Sequence, residues 1–382
     1  MKVLFIPARN AQGEIDTTER PVRDVRNQLA DLGVTLAEGI QDPDLIWISG
    51  RYRPQKIFRS LNKQGAPLLV SDMWRESCEL VRGDPELLQQ PNVLGLLRCM
   101  VFRDRNMFRL HHQVADHGYT YHGRLISLAR VLKDPSPQAL DLEDSALEKI
   151  ETGVTHLQLL LGLGDETPGG WGHMDLNLPA HGGLKKLDFD ENRPIDVSLM
   201  LTIGSADTLG RPSMTPPGSI QQVEWHRRQA LKIVQAMGLN GTVVVSSGVW
   251  RRYHDESAFP PVTHEQWLGL LRRSKVSVSP WGTDARSNRD YEIPLSGAVM
   301  IKPDTSHVKV FPDVYASGQT HLVCRPDFSD LEQVIQGVLT NWEAHRELRE
   351  SARNFIEPHF TDRSLLAQHL HGIFERCLAR AQ

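Results

Sequence analysis

Apolar positions along the chain fall into short blocks separated by polar stretches of helical character. KVLFIPA, at residues 2–8, is rich in Val, Leu, Phe and Ile, and after a polar loop VRDVRNQLADLG reads as a helix closing at Gly33. The order repeats. DLIWISG, from Asp44 to Gly50, reads as a buried strand, PQKIFRSLNKQG as a helix with proline at its start and glycine at its end, and APLLVSD as the next strand. Beyond a Gly-, Pro- and Asp-dense connection between Gly162 and Arg193, the alternation restarts: IDVSLMLTIG as strand and turn, VEWHRRQALKIVQAMG as a helix, TVVVSSG as a strand, HEQWLGLLRRS as a helix and KVSVSP as a strand. Strand–helix alternation predicts parallel sheets covered by helices. The expectation is therefore an α/β chain of two Rossmann-like domains, 1–185 and 186–382. VLGLLRCMVFRDRNMFRLHHQVADHGYTYH resists this reading. The segment from Asp134 to Lys149 reads as a polar lead-in and helix, and THLQLLLGLG from Thr155 fits a strand or a buried helix equally.

Composition narrows the classes. The chain has 382 residues, 40% hydrophobic and 24% charged, enough for two ordinary cores. No apolar run approaches a membrane span, and MKVLFIPARN lacks the apolar core and cleavage site of a signal peptide, so a cytoplasmic protein is expected. Cys78, Cys99, Cys324 and Cys377 are far apart and form no CxxC pair, which reads as buried thiols. His111, His112, His117 and His122 lie in no recognised ligand spacing, and no metal site is expected. The formal net charge of −4 hides an uneven distribution: residues 51–133 carry 14 Lys+Arg against 7 Asp+Glu. That basic window, with Arg51, Arg53, Arg103 and Arg105, would steer an anionic partner, unless it is a solvated face.

Chemistry concentrates in SPWGTDARSNRDYEIPLSGAVMIKPD, from Ser279 to Asp304. With KVSVSP a strand and a helix beginning near Asn288, Arg289 and Glu292 are three apart on one face near the helix start. Backbone N–H groups there, with Arg289 as a forked donor, suit a diphosphate, and a carboxylate suits a vicinal diol such as ribose. Asp284, in the preceding loop, would reach the hydroxyls of an attached sugar. The plain alternative is an Arg–Glu pair at helical spacing on a surface.

The run DARSNRDYEIPLSGAVMI resembles the donor-site segment of group 1 glycosyltransferases of the GT-B fold. In that segment two acidic residues eight apart are followed by a glycine five positions after the second, then by an apolar strand; here these are Asp284, Glu292 and Gly297. The form Arg289-Asp-Tyr-Glu292 is more similar to the sub-group that includes the spore-maturation CgeB-like glycosyltransferases. The resemblance covers about Ile195 to Leu378. It implies a GT-B-like fold, two Rossmann-like domains facing a central cleft with the terminal helices packing back on the first, and a transferase using a nucleotide-diphosphate sugar as donor substrate and no other cofactor, with Glu292 on the ribose, Arg289 at the phosphates and Asp284 near the sugar. At the first acidic position this chain departs from the usual Glu, and Asp284 is a methylene shorter. The family's first donor loop corresponds to TIGSADTLGRPS, where Gly204 and Ser205 would admit phosphate and Arg211 would add charge.

In such a reaction negative charge grows on the leaving diphosphate, so Arg289, the helix start and Lys302 are the expected electrostatic catalysts, with no metal required. For inversion a general base must come from the first half, where Asp72 is best placed at a strand end and Asp104 and His112 are alternatives. Inversion and retention both stay open. So do two other classes, a GT-B-like epimerase or hydrolase of nucleotide-sugars and a non-catalytic nucleotide-sugar-binding protein, whereas a Rossmann dehydrogenase is disfavoured because KVLFIPARNAQGEID has no GxGxxG turn. The basic window suits as acceptor a phosphorylated glycan, a teichoic-type polymer, a lipid-linked phosphate or modified DNA.

Overall fold

The structure, a computed structural model, describes residues 1–9, 25–49, 56–72, 84–110, 141–153, 189, 192–201, 219–239, 241–247, 260–262, 264–281, 286–287, 289–315 and 318–382. Its strands form two parallel six-stranded sheets. The first contains β1 (Lys2–Ile6), β2 (Thr35–Ala37), β3 (Leu45–Ser49), β4 (Leu68–Asp72), β5 (Val93–Arg98) and β7 (Ile150–Thr152) in the order β2-β1-β3-β4-β5-β7. The second contains β8 (Ile195–Leu201), β9 (Thr242–Ser247), β10 (Pro261–Val262), β11 (Ser274–Val278), β12 (Val299–Pro303) and β14 (Leu322–Cys324) in the order β10-β9-β8-β11-β12-β14. The continuous apolar runs follow from this arrangement. Every residue of β3, of β5 and of β12 is buried, because helices cover both faces of a parallel sheet. The chain is thus α/β with two sheet-centred units. The boundary expected near residue 185 and the segment from Thr155 lie outside the described residues. Between residues 141 and 153 the structure has a short helix, Asp144–Glu148, followed directly by β7 as the sixth strand of the first sheet.

Two features join the halves. A ribbon pairs β6 (Val101–Phe102) with β13 (Val308–Lys309) in antiparallel register, Val308 opposite Phe102 and Lys309 opposite Val101. The C-terminal helix Arg363–Ala379 lies against the first sheet. Asp362 caps it by accepting the Ser364 N–H at 2.8 Å, and Leu366, Leu370, Ile373, Phe374 and Cys377 are buried in one cluster with Phe5, Trp47 and Leu96. Phe374 meets Trp47 edge-on at 5.7 Å between ring centroids, and each such side chain contributes about 1.5–3 kcal/mol by leaving water. Trp281, Tyr291 and Tyr315 from the second half belong to the same cluster.

Close approach of the terminal helix depends on Gly95 in β5. A Cβ there would lie 2.7 Å from Leu69 Cδ1 and 2.8 Å from Cys377 Sγ. Gly95→Ala is expected to lower stability by ~1–3 kcal/mol through overpacking, read as a lower urea midpoint; an unchanged midpoint would mean the helix can retreat without loss. Cys99, Cys324 and Cys377 are buried free thiols. Burial pushes the Cys377 thiol up to about 12 and the Cys324 thiol further, so neither is a thiolate near neutral pH. Among the described residues no helix is long and apolar enough to cross a membrane.

Candidate functional site

Strand order places the crevice. In the second sheet β8 comes first in the chain, with β9 and β10 on one side and β11, β12 and β14 on the other. Successive connections therefore leave the carboxyl ends of β8 and β11 in opposite directions and open a gap there, the place where parallel sheets bind ligands. Arg289 reaches this gap. It is the first residue of the helix Arg289–Leu295, which fills the connection from β11 to β12 and ends before Gly297, whose φ of 74° turns the chain into β12.

The Arg289 guanidinium is 7% exposed, and its Nη1 donates to the Met200 carbonyl near the end of β8 at 2.8 Å. Its Nε is buried and has no partner among the described residues. Burial lowers its proton affinity, opposed by the carboxylates of Asp290 and Glu292, yet a guanidinium keeps its charge across the physiological range. Among the described residues this buried cation is held by one carbonyl, which is an uncommon state for a group with five donors.

Glu292 is 5% exposed, and its Oε2 accepts from the Trp267 indole at 2.9 Å. Trp267 belongs to the helix His264–Arg272. The carboxylate therefore has a packing duty beside any contact with a ligand. Glu292→Ala is expected to cost ~1–3 kcal/mol of stability by stranding the buried indole N–H, whereas Glu292→Gln, which still accepts, should stay near the parent. Unfolding midpoints of the two variants decide this, and equal midpoints would remove Trp267 from the account.

Lys302, expected near the phosphates, has a carboxylate partner within the protein. Its side chain is fully buried and its ammonium lies 3.0 Å from Asp290 Oδ1, also fully buried. An ammonium inside β12 needs a carboxylate to offset its desolvation, and Asp290 supplies it. One backbone N–H just ahead of the helix is also taken within the protein, because Asp290 Oδ2 accepts the Ser287 N–H at 2.8 Å. On sequence alone Asp290 has no assigned role. The signal that identifies it is the lone lysine of VMIKP, which an apolar strand cannot bury without an acidic partner.

Two histidines flank this pair. His226 stacks on Trp281 with centroids 4.7 Å apart and leans on Phe328 at 4.4 Å, and its Nε2 is 3.0 Å from the Pro326 carbonyl. Burial pulls it down to about 3, against the raising effect of that carbonyl and with help from Lys302 and Arg227. Burial pulls His321 down to about 4, with Lys302 adding to the effect. Both imidazoles are neutral at pH 7, so neither supplies positive charge to an anion.

The remaining candidates divide. Gly204, Ser205, Arg211, Asp284 and His112 lie outside the described residues, as do Arg51 and Arg53. Asp72 closes β4, its backbone in register with Arg98 of β5, and its side chain is outside the described set. Asp104 is exposed and caps the 3₁₀ turn Arg105–Leu110, its Oδ1 accepting the Asn106 N–H at 3.0 Å. Arg103 and Arg105 do not present a free cationic wall. Arg103 pairs with Asp313 at 2.6 Å, and Arg105 donates to the carbonyls of Leu147 and Ile150. Both are committed to joining segments distant in the chain.

No protein-family model matches the chain, and no curated protein matches its sequence. Solved structures to which it is similar include TarM, at 11% identity and a TM-score of 0.43 over 94% of this chain and 59% of TarM. A UDP-GlcNAc 2-epimerase from Neisseria meningitidis bound to UDP-GlcNAc aligns at 10% identity and a TM-score of 0.39 over 98% of this chain and 100% of the other. An alpha-glucosyltransferase in complex with UDP-glucose and DNA containing an abasic site aligns at 8% identity and a TM-score of 0.38 over 98% of this chain and 99% of the other.

Proposed function

We infer that the chain is a glycosyltransferase of GT-B organisation, related to the group 1 and CgeB-like enzymes, that moves a sugar from a nucleotide-diphosphate donor to a separate acceptor. The observation that carries this reading is Arg289: a buried guanidinium beside the carboxyl end of β8, at the switch point of a parallel sheet, with Nε unpartnered among the described residues. It stands in the Arg-x-aromatic-Glu run whose resemblance to donor sites was drawn from sequence. The donor is assigned to the second half of the chain and the acceptor to the first.

Departure of a nucleoside diphosphate from the anomeric carbon leaves an oxocarbenium-like sugar and loads negative charge on the bridging oxygen. Arg289, desolvated and fixed, meets that charge as it forms, and a fixed donor in a dry site stabilises it more than water does. Glu292 takes the ribose hydroxyls. The donor sugar is assigned to Asp284 and the phosphates to Gly204, Ser205 and Arg211, and Asp72 is the first choice of general base. Neither a resident cofactor nor a metal enters these steps.

A panel of UDP, GDP, ADP, CDP and dTDP, tested for thermal stabilisation of the full chain, checks the reading. One base is expected to stand out, since a ligand at 100 Kd stabilises by about 2.7 kcal/mol. Absence of stabilisation by every diphosphate at millimolar concentration would refute it. Donor consumed without any acceptor, beyond slow hydrolysis, would instead indicate an epimerase or hydrolase.

A further inference from the structure

Asp290 has no part in the chemistry just inferred, yet its carboxylate is saturated. Oδ1 accepts from Ser279 Oγ at 2.6 Å and from Lys302 Nζ at 3.0 Å, and Oδ2 accepts from the Ser287 N–H at 2.8 Å and the Tyr315 hydroxyl at 2.6 Å. The residue is fully buried. Its four donors come from four places: the residue after β11, the lead into the helix Arg289–Leu295, the middle of β12, and the segment that follows β13. A carboxylate so occupied has no lone pair left for a ligand, so its effect is on the direction of the groups around it.

Buried ion pairs give little net stability over apolar residues of the same volume, whereas their hydrogen bonds are directional. What is directed here is the first turn of the helix, and with it Arg289. Among the described residues the Arg289 side chain makes one hydrogen bond, to Met200, so its aim depends on where the backbone of that turn is pinned. Tyr315 extends the pinning to the segment that continues from the β6–β13 ribbon, the strand pair joining the two halves of the chain.

We propose that Asp290 is a positioning residue: through Ser279, Ser287, Lys302 and Tyr315 it sets the helix start so that Arg289 faces the end of β8, and Lys302 serves as its counterion instead of touching the diphosphate. What Arg289 binds rests on the nucleotide-sugar reading above; the pinning of the helix does not.

Asp290→Asn alone would strand a buried ammonium and is expected to unfold the chain in part, so the informative protein is Asp290→Asn with Lys302→Met, which removes both charges. Two measurements on the full chain suffice. Without ligand, amide hydrogen exchange across residues 287–297 is expected to quicken at least tenfold in the double variant, while exchange in the first sheet stays as in the parent. Affinity for whichever of the five nucleoside diphosphates binds the parent is expected to fall on the order of tenfold, the worth of one charge-assisted hydrogen bond. Adding Arg289→Met to the double variant should then cost less affinity than Arg289→Met costs the parent, leaving the triple variant near Arg289→Met alone, because Asp290 acts through Arg289.

Unchanged exchange in 287–297 overturns the proposal. So does an affinity loss of equal size with and without Arg289, which a merely structural contribution would give. If the parent binds none of the diphosphates, the functional reading falls, and the exchange comparison alone still decides whether Asp290 sets the helix start.

Discussion

Replacing Arg289 by lysine is expected to cut turnover by roughly ten- to hundredfold, with a smaller loss of donor affinity. Lysine keeps the charge but loses the planar fork. Arg289 donates through Nη1 to the Met200 carbonyl, and Nε has no partner among the described residues, so in the proposed function one plane of N–H groups would serve both the strand end and an anion. A single ammonium cannot hold the carbonyl and follow the leaving diphosphate together. Because the charge that Arg289 meets grows between ground state and transition state, the loss should fall on kcat more than on donor binding. Steady-state kinetics of the folded variant, beside calorimetric affinity for the matching nucleoside diphosphate, separate the two. A raised KM with unchanged kcat would make Arg289 a uniform binding residue and remove it from the catalytic electrostatics.

Arg289 and Glu292 were readable because three-residue spacing at a helix start brings side chains to one face, whatever surrounds them. Their neighbours were not. Asp290 and Lys302 are twelve positions apart on different elements, and only the register of helix against β12 puts their charges 3.0 Å apart. Arg103 and Asp313 are separated by 210 positions, so counting charge in residues 51–133 could not reveal that Arg103 is paired. Net charge in a window reports composition, and pairing is decided by topology.

The same division applies to the fold. LIWIS was legible because a strand buried on both faces is a continuous apolar run, and the following helix because proline and glycine mark its ends. Thr35–Ala37 and Ile150–Thr152, three residues each, are too short for any period to show, although β7 completes the first sheet. Alternation implies parallel strands without stating their order. The two sheets differ in that respect: β1 has one strand on its outer side, and β8 has two. That difference places the crevice of the second sheet beside β8 and β11, and no property of the strand sequences fixes it.

Glu151→Gln is expected to lower stability by ~2–4 kcal/mol at neutral pH and to flatten the acid side of the stability curve. Glu151, in β7, is 5% exposed and is gripped by Arg376 Nε and Nη2 at 3.0 Å each, from the helix Arg363–Ala379, and by Nη2 of Arg380, the residue that caps that helix, at 2.7 Å. Burial alone would raise its carboxyl, but the hydrogen bonds and charges of Arg376 and Arg380 outweigh burial and hold it below the ordinary carboxylate range. Arg376 shifts in the opposite, matching direction, raised chiefly by its hydrogen bonds to Glu151. Half of the Arg376 side chain faces solvent, so screening places the loss toward the lower end of the range. A carboxyl with a depressed folded value contributes in full above its unfolded value, about 4.3, and loses that contribution as the pH falls through the folded value. Urea midpoints of parent and Glu151→Gln should therefore be well separated at pH 7 and converge as the pH drops below about 4.5. Arg380 also donates to the Leu94 and Glu148 carbonyls, so it keeps partners in the variant, and the cost falls mainly on the grip of Arg376. Curves that run parallel from pH 7 to pH 3 would show that apolar packing of Leu370, Phe374 and Cys377 alone docks the terminal helix, with the ion pairs adding nothing.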